Sequence, residues 1–95
     1  RNVNVKLKVV EKGHIKHLDK LVNDPHPWVR SEVAKHGHPQ HLDKLVNDPD
    51  WRVRTQVASH GHLHHLDKLV NDRNVKVINM AKKRLKKLKN SIDRK

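Results

Sequence analysis

The octapeptide HLDKLVND stands at residues 17–24, again at 41–48 and a third time at 65–72, so each copy follows the last by 24 residues. A fixed period in the range of 20 to 50 residues marks stacked supersecondary units, each too small to bury its own apolar face. We therefore expect an open α-helical array rather than a single globule with one central core. Arrays of this kind bind other molecules far more often than they catalyse.

Each unit carries its own punctuation. Asp24 and Asp48 are expected N-caps, Pro25 and Pro49 the first helical positions, and Gly37 and Gly61 the C-cap glycines of a first helix. Between these marks Val29 and Val33, and likewise Val53 and Val57, recur at i, i+4 beside Ala34 and Ala58, giving a narrow apolar stripe for the neighbouring unit. After each glycine comes a shorter element, GHPQHLDKLV in the middle copy, with Leu42, Leu45 and Val46 at i, i+3, i+4. It spans about two turns, as α-helix or partly as 3₁₀-helix, and depends on its neighbours because helix nucleation is costly.

The expected array comprises a partial repeat over 1–13, repeats over 14–37, 38–61 and 62–81, and a basic capping helix over 74–92. In the partial repeat Val5, Val9 and Gly13 each stand 24 residues before Val29, Val33 and Gly37. The chain opens mid-repeat and without Met, which points to a processed or engineered segment or to the tail of a longer array. An apolar end left uncovered there would favour end-to-end association. The last copy lacks the glycine and the second element and continues with Val77, Ala81, Leu85, Leu88 and Ile92 on one face.

Trp28 and Trp51 are the only aromatic residues, so the core has to be aliphatic. The absence of cysteine excludes disulfides, thiolate metal sites and cysteine nucleophiles. No window approaches 18 consecutive apolar residues and no signal-peptide h-region opens the chain, so we expect a soluble, cytoplasmic protein without a membrane span. The net charge of +12 is unevenly placed: residues 1–72 hold 12 Lys and Arg against 9 Asp and Glu, a net of +3, whereas 73–95 hold 10 against Asp93 alone, a net of +9.

The pattern V-R-x-x-V-A-x-H-G followed by L-x-x-L-V-N-D, at residues 29–49 and 53–72, resembles the leucine-rich repeat variant, a HEAT-like family with a 24-residue repeat. The resemblance covers residues 3–80. It implies an α-helix paired with a 3₁₀-helix in each unit, a right-handed superhelix, and a role as scaffold or interaction surface. An iron–sulfur cluster described for one member rests on cysteines, which this chain lacks.

Three constellations are candidates for function. Lys82, Lys83, Arg84, Lys86, Lys87 and Lys89 surround an apolar line of Ala81, Leu85 and Leu88, a dense positive face that suits a phosphate backbone, an acidic membrane surface or a calmodulin-like partner, or else simply solvates the cap. Lys20, Lys44 and Lys68 in the second elements, and Lys6, Arg30 and Arg54 in the first helices, become rows on stacking. Such rows track an extended anion unless the arginines pair with repeat aspartates such as Asp48. The H-x-x-H pairs His14/His17, His38/His41 and His62/His65 have chelating spacing, but no carboxylate or thiolate completes each set in sequence, so they read as ordinary repeat residues with no metal or cofactor. Near pH 6 the imidazoles would charge and strengthen any anion binding. Trp28 and Trp51, one register apart, suit either stacking on a partner or packing over the junction with the preceding unit.

Catalysis finds no support. Ser31, Ser59 and Ser91 lack a nucleophile context, and identical residues in identical environments do not separate acid from base. We expect a non-enzymatic helical-repeat scaffold that binds another macromolecule, a protein first, with nucleic-acid backbone as the alternative.

Overall fold

Short and long helices alternate along the chain. The computed structural model describes residues 15–93, with side chains to residue 91. In order the helices are α1 (Ile15–Leu21), α2 (Pro27–Lys35), α3 (Pro39–Leu45), α4 (Trp51–His60), α5 (Leu63–Leu69) and α6 (Val75–Asp93), and no strand occurs among the described residues. The partial repeat with Val5, Val9 and Gly13, and Lys6 of the expected cation row, lie outside the described residues.

The first helices begin two residues later than the Asp-Pro punctuation predicts, at Pro27 and Trp51 rather than Pro25 and Pro49. The physical reason is an alternative use of the carboxylate. Asp24, Asp48 and Asp72 each accept the amide N–H two residues on, from His26, Asp50 and Asn74, at 2.9 Å in every case. This local ring makes a turn and moves the cap to the next position. There Asp50 and Asn74 do the capping, each accepting the amide of the second residue beyond, Arg52 and Lys76, at 2.8 Å. His26, at the same register, makes no such cap.

The two glycines differ as well. Gly37 ends α2 with φ +70°, the left-handed conformation expected of a C-cap glycine, and its N–H donates to Ala34 O at 3.0 Å. Gly61 is not left-handed, contrary to expectation; its φ of −76° suits any residue, and what it lacks is room. A Cβ there would lie 2.6 Å from Val57 O and 3.0 Å from the His65 Cβ, so α5 packs directly on the glycine backbone. Leu85 takes this register in the last unit, and with helix-forming residues around it α6 runs on for 19 residues.

The second elements are α-helical, seven residues each, where the resemblance implies 3₁₀. Bonds of i→i−4 type frame α3, from Leu42 N–H to His38 O at 3.0 Å and from Val46 N–H to Leu42 O at 2.9 Å.

Packing follows the register. α2 packs on α4 and α4 on α6, while α3 and α5 each touch the long helices before and after them, and α1 touches α2. The stripe Val29, Val33 and Ala34 is fully buried, as are its successors Val53, Val57 and Ala58 and then Val77 and Ala81. Leu18, Leu42, Leu45, Leu66 and Leu69 close the core from the short helices, and Leu85 and Leu88 pack against it half-buried. Ile92, expected on the same face, lies outside the described side chains. The molecule measures 44 × 30 × 18 Å along its principal axes, with one aliphatic core cluster to which both long and short helices contribute. No described helix is long and apolar enough to cross a membrane.

Candidate functional site

Two sets of polar side chains join one unit to the next. In the first, Arg30 on α2 grips Asp48 of the following unit with a two-pronged contact, Nε to Oδ1 at 2.7 Å and Nη2 to Oδ2 at 3.1 Å, while Nη1 donates to the Asp24 carbonyl at 2.6 Å. Arg54 on α4 repeats it one unit on: Nε and Nη2 reach Asp72 at 2.8 and 3.2 Å, and Nη1 reaches the carbonyls of Asp48 and Pro49. The same two-pronged contact thus recurs 24 residues apart, Arg30 with Asp48 and Arg54 with Asp72. The recurrence ends where Ile78 takes the arginine register.

The planar guanidinium suits this double contact and lysine would not. The Arg54 and Asp72 side chains are 5% and 7% exposed. Burial pushes the Asp72 pKa upward, but the Arg54 guanidinium, the Asn74 amide and nearby Arg73 outweigh it and hold the carboxyl below its ordinary range. The row read as Lys6, Arg30 and Arg54 is, at its two described positions, a row of ion pairs.

The second set joins the short helices. His41 on α3 places Nε2 2.6 Å from Asp19 Oδ1 on α1, and His65 on α5 places Nε2 2.7 Å from Asp43 Oδ1 on α3. Both histidines are buried. The His62 amide donates to His65 Nδ1 at 3.0 Å, so that nitrogen bears no proton and Nε2–H must be the donor to Asp43. His65 is therefore neutral and fully satisfied, and burial lowers its pKa despite Asp43. The H-x-x-H pair His62/His65 is a helix-start clamp within one unit rather than a chelate. In the preceding unit His41 Nδ1 has no hydrogen-bond partner among the described residues.

His64 joins this cluster, its Nε2 2.9 Å from the same Asp43 oxygen. One ring nitrogen from each of His64 and His65 and an Asp43 oxygen lie within 4.8 Å of one another, close enough for the three residues to hold a metal ion. Neither Asp43 nor His64 stands out in the sequence reading. The available signal is a departure from the repeat: His64 replaces Gln40 of the unit before.

Comparison of the chain with protein-family models, with curated proteins and with solved structures finds no match in any of the three. The residues themselves have to identify the surface.

On α6, Lys82, Lys83, Lys86, Lys87 and Lys89 are exposed, and none is paired with a carboxylate among the described residues. Arg84 differs from them. It is half-buried and donates from Nε to Gly61 O at 3.2 Å, tying α6 to the loop after α4. Between Ser59 at the end of α4 and Met80, Lys83, Lys87 and Asn90 of α6 lies an open depression of about 440 Å³. His60 borders this region, and its pKa is lowered by burial, then by the positive charges of Arg84 and Lys35.

Lys20, Lys44 and Lys68 are all exposed, and Lys68 Nζ donates to Asn47 Oδ1 of the preceding unit. Trp28 is 42% exposed, edge-on to the His26 ring and beside Arg52 across a small cleft with Pro27 and Ser31. Trp51 packs half-buried on the core, and Lys76 of the following unit sits 5.2 Å above its ring. This cation–ring contact comes from the unit after Trp51.

A pH effect on stability follows from His60 and His65. Both pKa values are depressed in the folded state, so the unfolded chain binds more protons near its own imidazole pKa of about 6.5. Their contribution is complete above that value and is lost as pH falls through it. Urea unfolding is expected to give a lower free energy of unfolding at about pH 5.5 than at pH 7.5, by at most about 1.4 kcal/mol per pH unit for each group, with His65→Gln flattening the difference. The same depression works against these two imidazoles charging on acidification and so reduces their share of any gain in anion binding.

Proposed function

We propose that this chain is a non-enzymatic, right-handed α-solenoid of the leucine-rich-repeat-variant type that binds another macromolecule, a protein first, through its repeat surface. The observation that supports this reading is the engagement of its recurring polar groups. Arg30, Arg54, Asp48, Asp72, His41 and His65, the residues from which a catalytic set would otherwise be drawn, hold one unit to the next. The surface left for a partner carries Trp28 beside Arg52, residue types that dominate binding energy at protein interfaces.

A second reading, contact with nucleic-acid backbone, is favoured by one feature. Among the described residues Arg30, Arg52 and Arg54 are neutralised by carboxylates, whereas five lysines of α6 are not. Positive charge left uncompensated on one helix attracts phosphates without reading bases.

One titration separates the two. Fluorescent DNA of scrambled sequence is added at about 50 and about 200 mM salt to the wild-type chain, to a variant with the five α6 lysines replaced by Gln, and to Trp28→Ala. If five phosphates are neutralised, affinity for duplex falls by about 500-fold between the two salt concentrations and is lost in the Gln variant. Absence of binding at low salt removes the nucleic-acid reading. The protein reading is then carried by a partner whose binding survives the salt increase and is lost in Trp28→Ala.

A further inference from the structure

We propose that Asp43, His64 and His65 form a binding site for one divalent transition-metal ion of the zinc class, bridging α3 and α5. The geometry converges without rearrangement of the backbone: Asp43 Oδ1 stands 2.9 Å from His64 Nε2 and 2.7 Å from His65 Nε2. An ion that replaces these two hydrogen bonds with bonds of about 2.0–2.2 Å needs the Asp43 oxygen to stand back from each nitrogen by roughly half an ångström.

The ligand chemistry selects the class. Two neutral imidazoles with one carboxylate suit zinc, nickel or cobalt, whereas magnesium and calcium take oxygen ligands throughout. Exposure is divided usefully: His65 is buried and fixed, while His64 and Asp43 are 65% and 59% exposed, leaving a path from solvent and room for water in the fourth position. One feature moderates the affinity. Ligation through Nε2 moves the His65 proton to Nδ1 and ends the contact with the His62 amide, a hydrogen bond whose loss is worth up to about tenfold in binding.

The chain contains its own control. Asp19 and His41 reproduce the Asp43–His65 tie one unit earlier at 2.6 Å, but Gln40 stands at the register of His64, leaving two ligands instead of three. His64 therefore distinguishes a structural tie from a metal site.

The test uses the full chain and ZnCl₂, with calorimetric titration for stoichiometry and thermal unfolding as a second readout. The expected result is one equivalent bound at micromolar concentrations, with a rise in Tm of about 10 °C at a zinc concentration a hundredfold above Kd. His64→Gln copies the preceding unit, keeps the Asp43–His65 tie and leaves Tm in chelator unchanged. It is expected to weaken zinc binding by about 100-fold or more, since loss of an outer-shell partner alone costs about 10–100-fold. Gln40→His is expected to create a second equivalent with Asp19 and His41. Failure of the wild type to bind, undiminished affinity in His64→Gln, or an unchanged stoichiometry in Gln40→His would each overturn the assignment, the second by tracing binding to other histidines.

Discussion

Arg54→Met is expected to lower the free energy of unfolding by about 3–5 kcal/mol, measured by urea denaturation at neutral pH. The substitution leaves the Asp72 carboxylate buried with its charge unpaired, and it takes a donor from the carbonyls of Asp48 and Pro49. For a chain of 95 residues total stability is on the order of 5–14 kcal/mol, so this single change removes a large part of it.

Two controls give the expectation its mechanism. Arg54→Met combined with Asp72→Asn should recover part of the loss, because the neutral amide removes the buried charge while keeping an acceptor for Asn74 N–H. Acidification separates the proteins further. In the wild type the Asp72 pKa is depressed, so its contribution is present above about pH 3.9 and is lost as pH falls through the lower folded value. In Arg54→Met only the Asn74 amide and Arg73 still oppose burial, so that pKa lies higher than in the wild type and the deficit relative to wild type shrinks as pH falls through the carboxylate range. A deficit that stayed constant with pH would place the effect in lost packing of the arginine stem. Arg30→Met should cost less, because its side chain is 14% exposed against 5% for Arg54.

Leu42→Ala is expected to cost about 2–5 kcal/mol by the same measurement. Leu42 is fully buried on α3, a helix of seven residues that contacts α2 and α4. A helix this short has no stability of its own, so the side chain that anchors it carries both its packing and its existence. Leu63→Ala is the matched control: at 54% exposure it should change stability by no more than about 0.5 kcal/mol. Equal effects at the two positions would mean that the aliphatic interior is not what holds the short helices in place.

Much of the local structure is legible from the repeat. Val29, Val33 and Ala34 read as one stripe because 24-residue recurrence and i, i+4 spacing agree, and all three are buried with their successors in α4. The run from Val77 to Leu88 reads as one helix for the same reason, reinforced by the absence of glycine and proline. The helix starts were less legible. An aspartate before proline can cap a helix or close a turn on the amide two residues on, and both uses look alike in sequence; Asp24 and Asp48 do the second.

The site was legible in part. That Arg30 could pair with Asp48 followed from charge and register, and the basic face of α6 followed from the order of its residues. The cluster at Asp43 did not follow. His65 and Asp43 are 22 residues apart, and nothing in either octapeptide says that a histidine at the start of one short helix meets the aspartate of the short helix before it. The spacing pointed instead to His62 and His65, which share a helix start without forming a chelate.

By itself the sequence determined the period, the helical class, the apolar stripes and the concentration of charge at the C-terminal end, because each depends on residues within one turn or at one fixed offset. Only the tertiary structure decided which polar groups meet across the joint between units: Arg30 with Asp48, Arg54 with Asp72, and Asp43 with His64 and His65. Those pairings depend on how helices 18 to 22 residues apart in sequence are placed against one another. That geometry is set by how fully the valine and leucine stripes interlock, and no single repeat contains it.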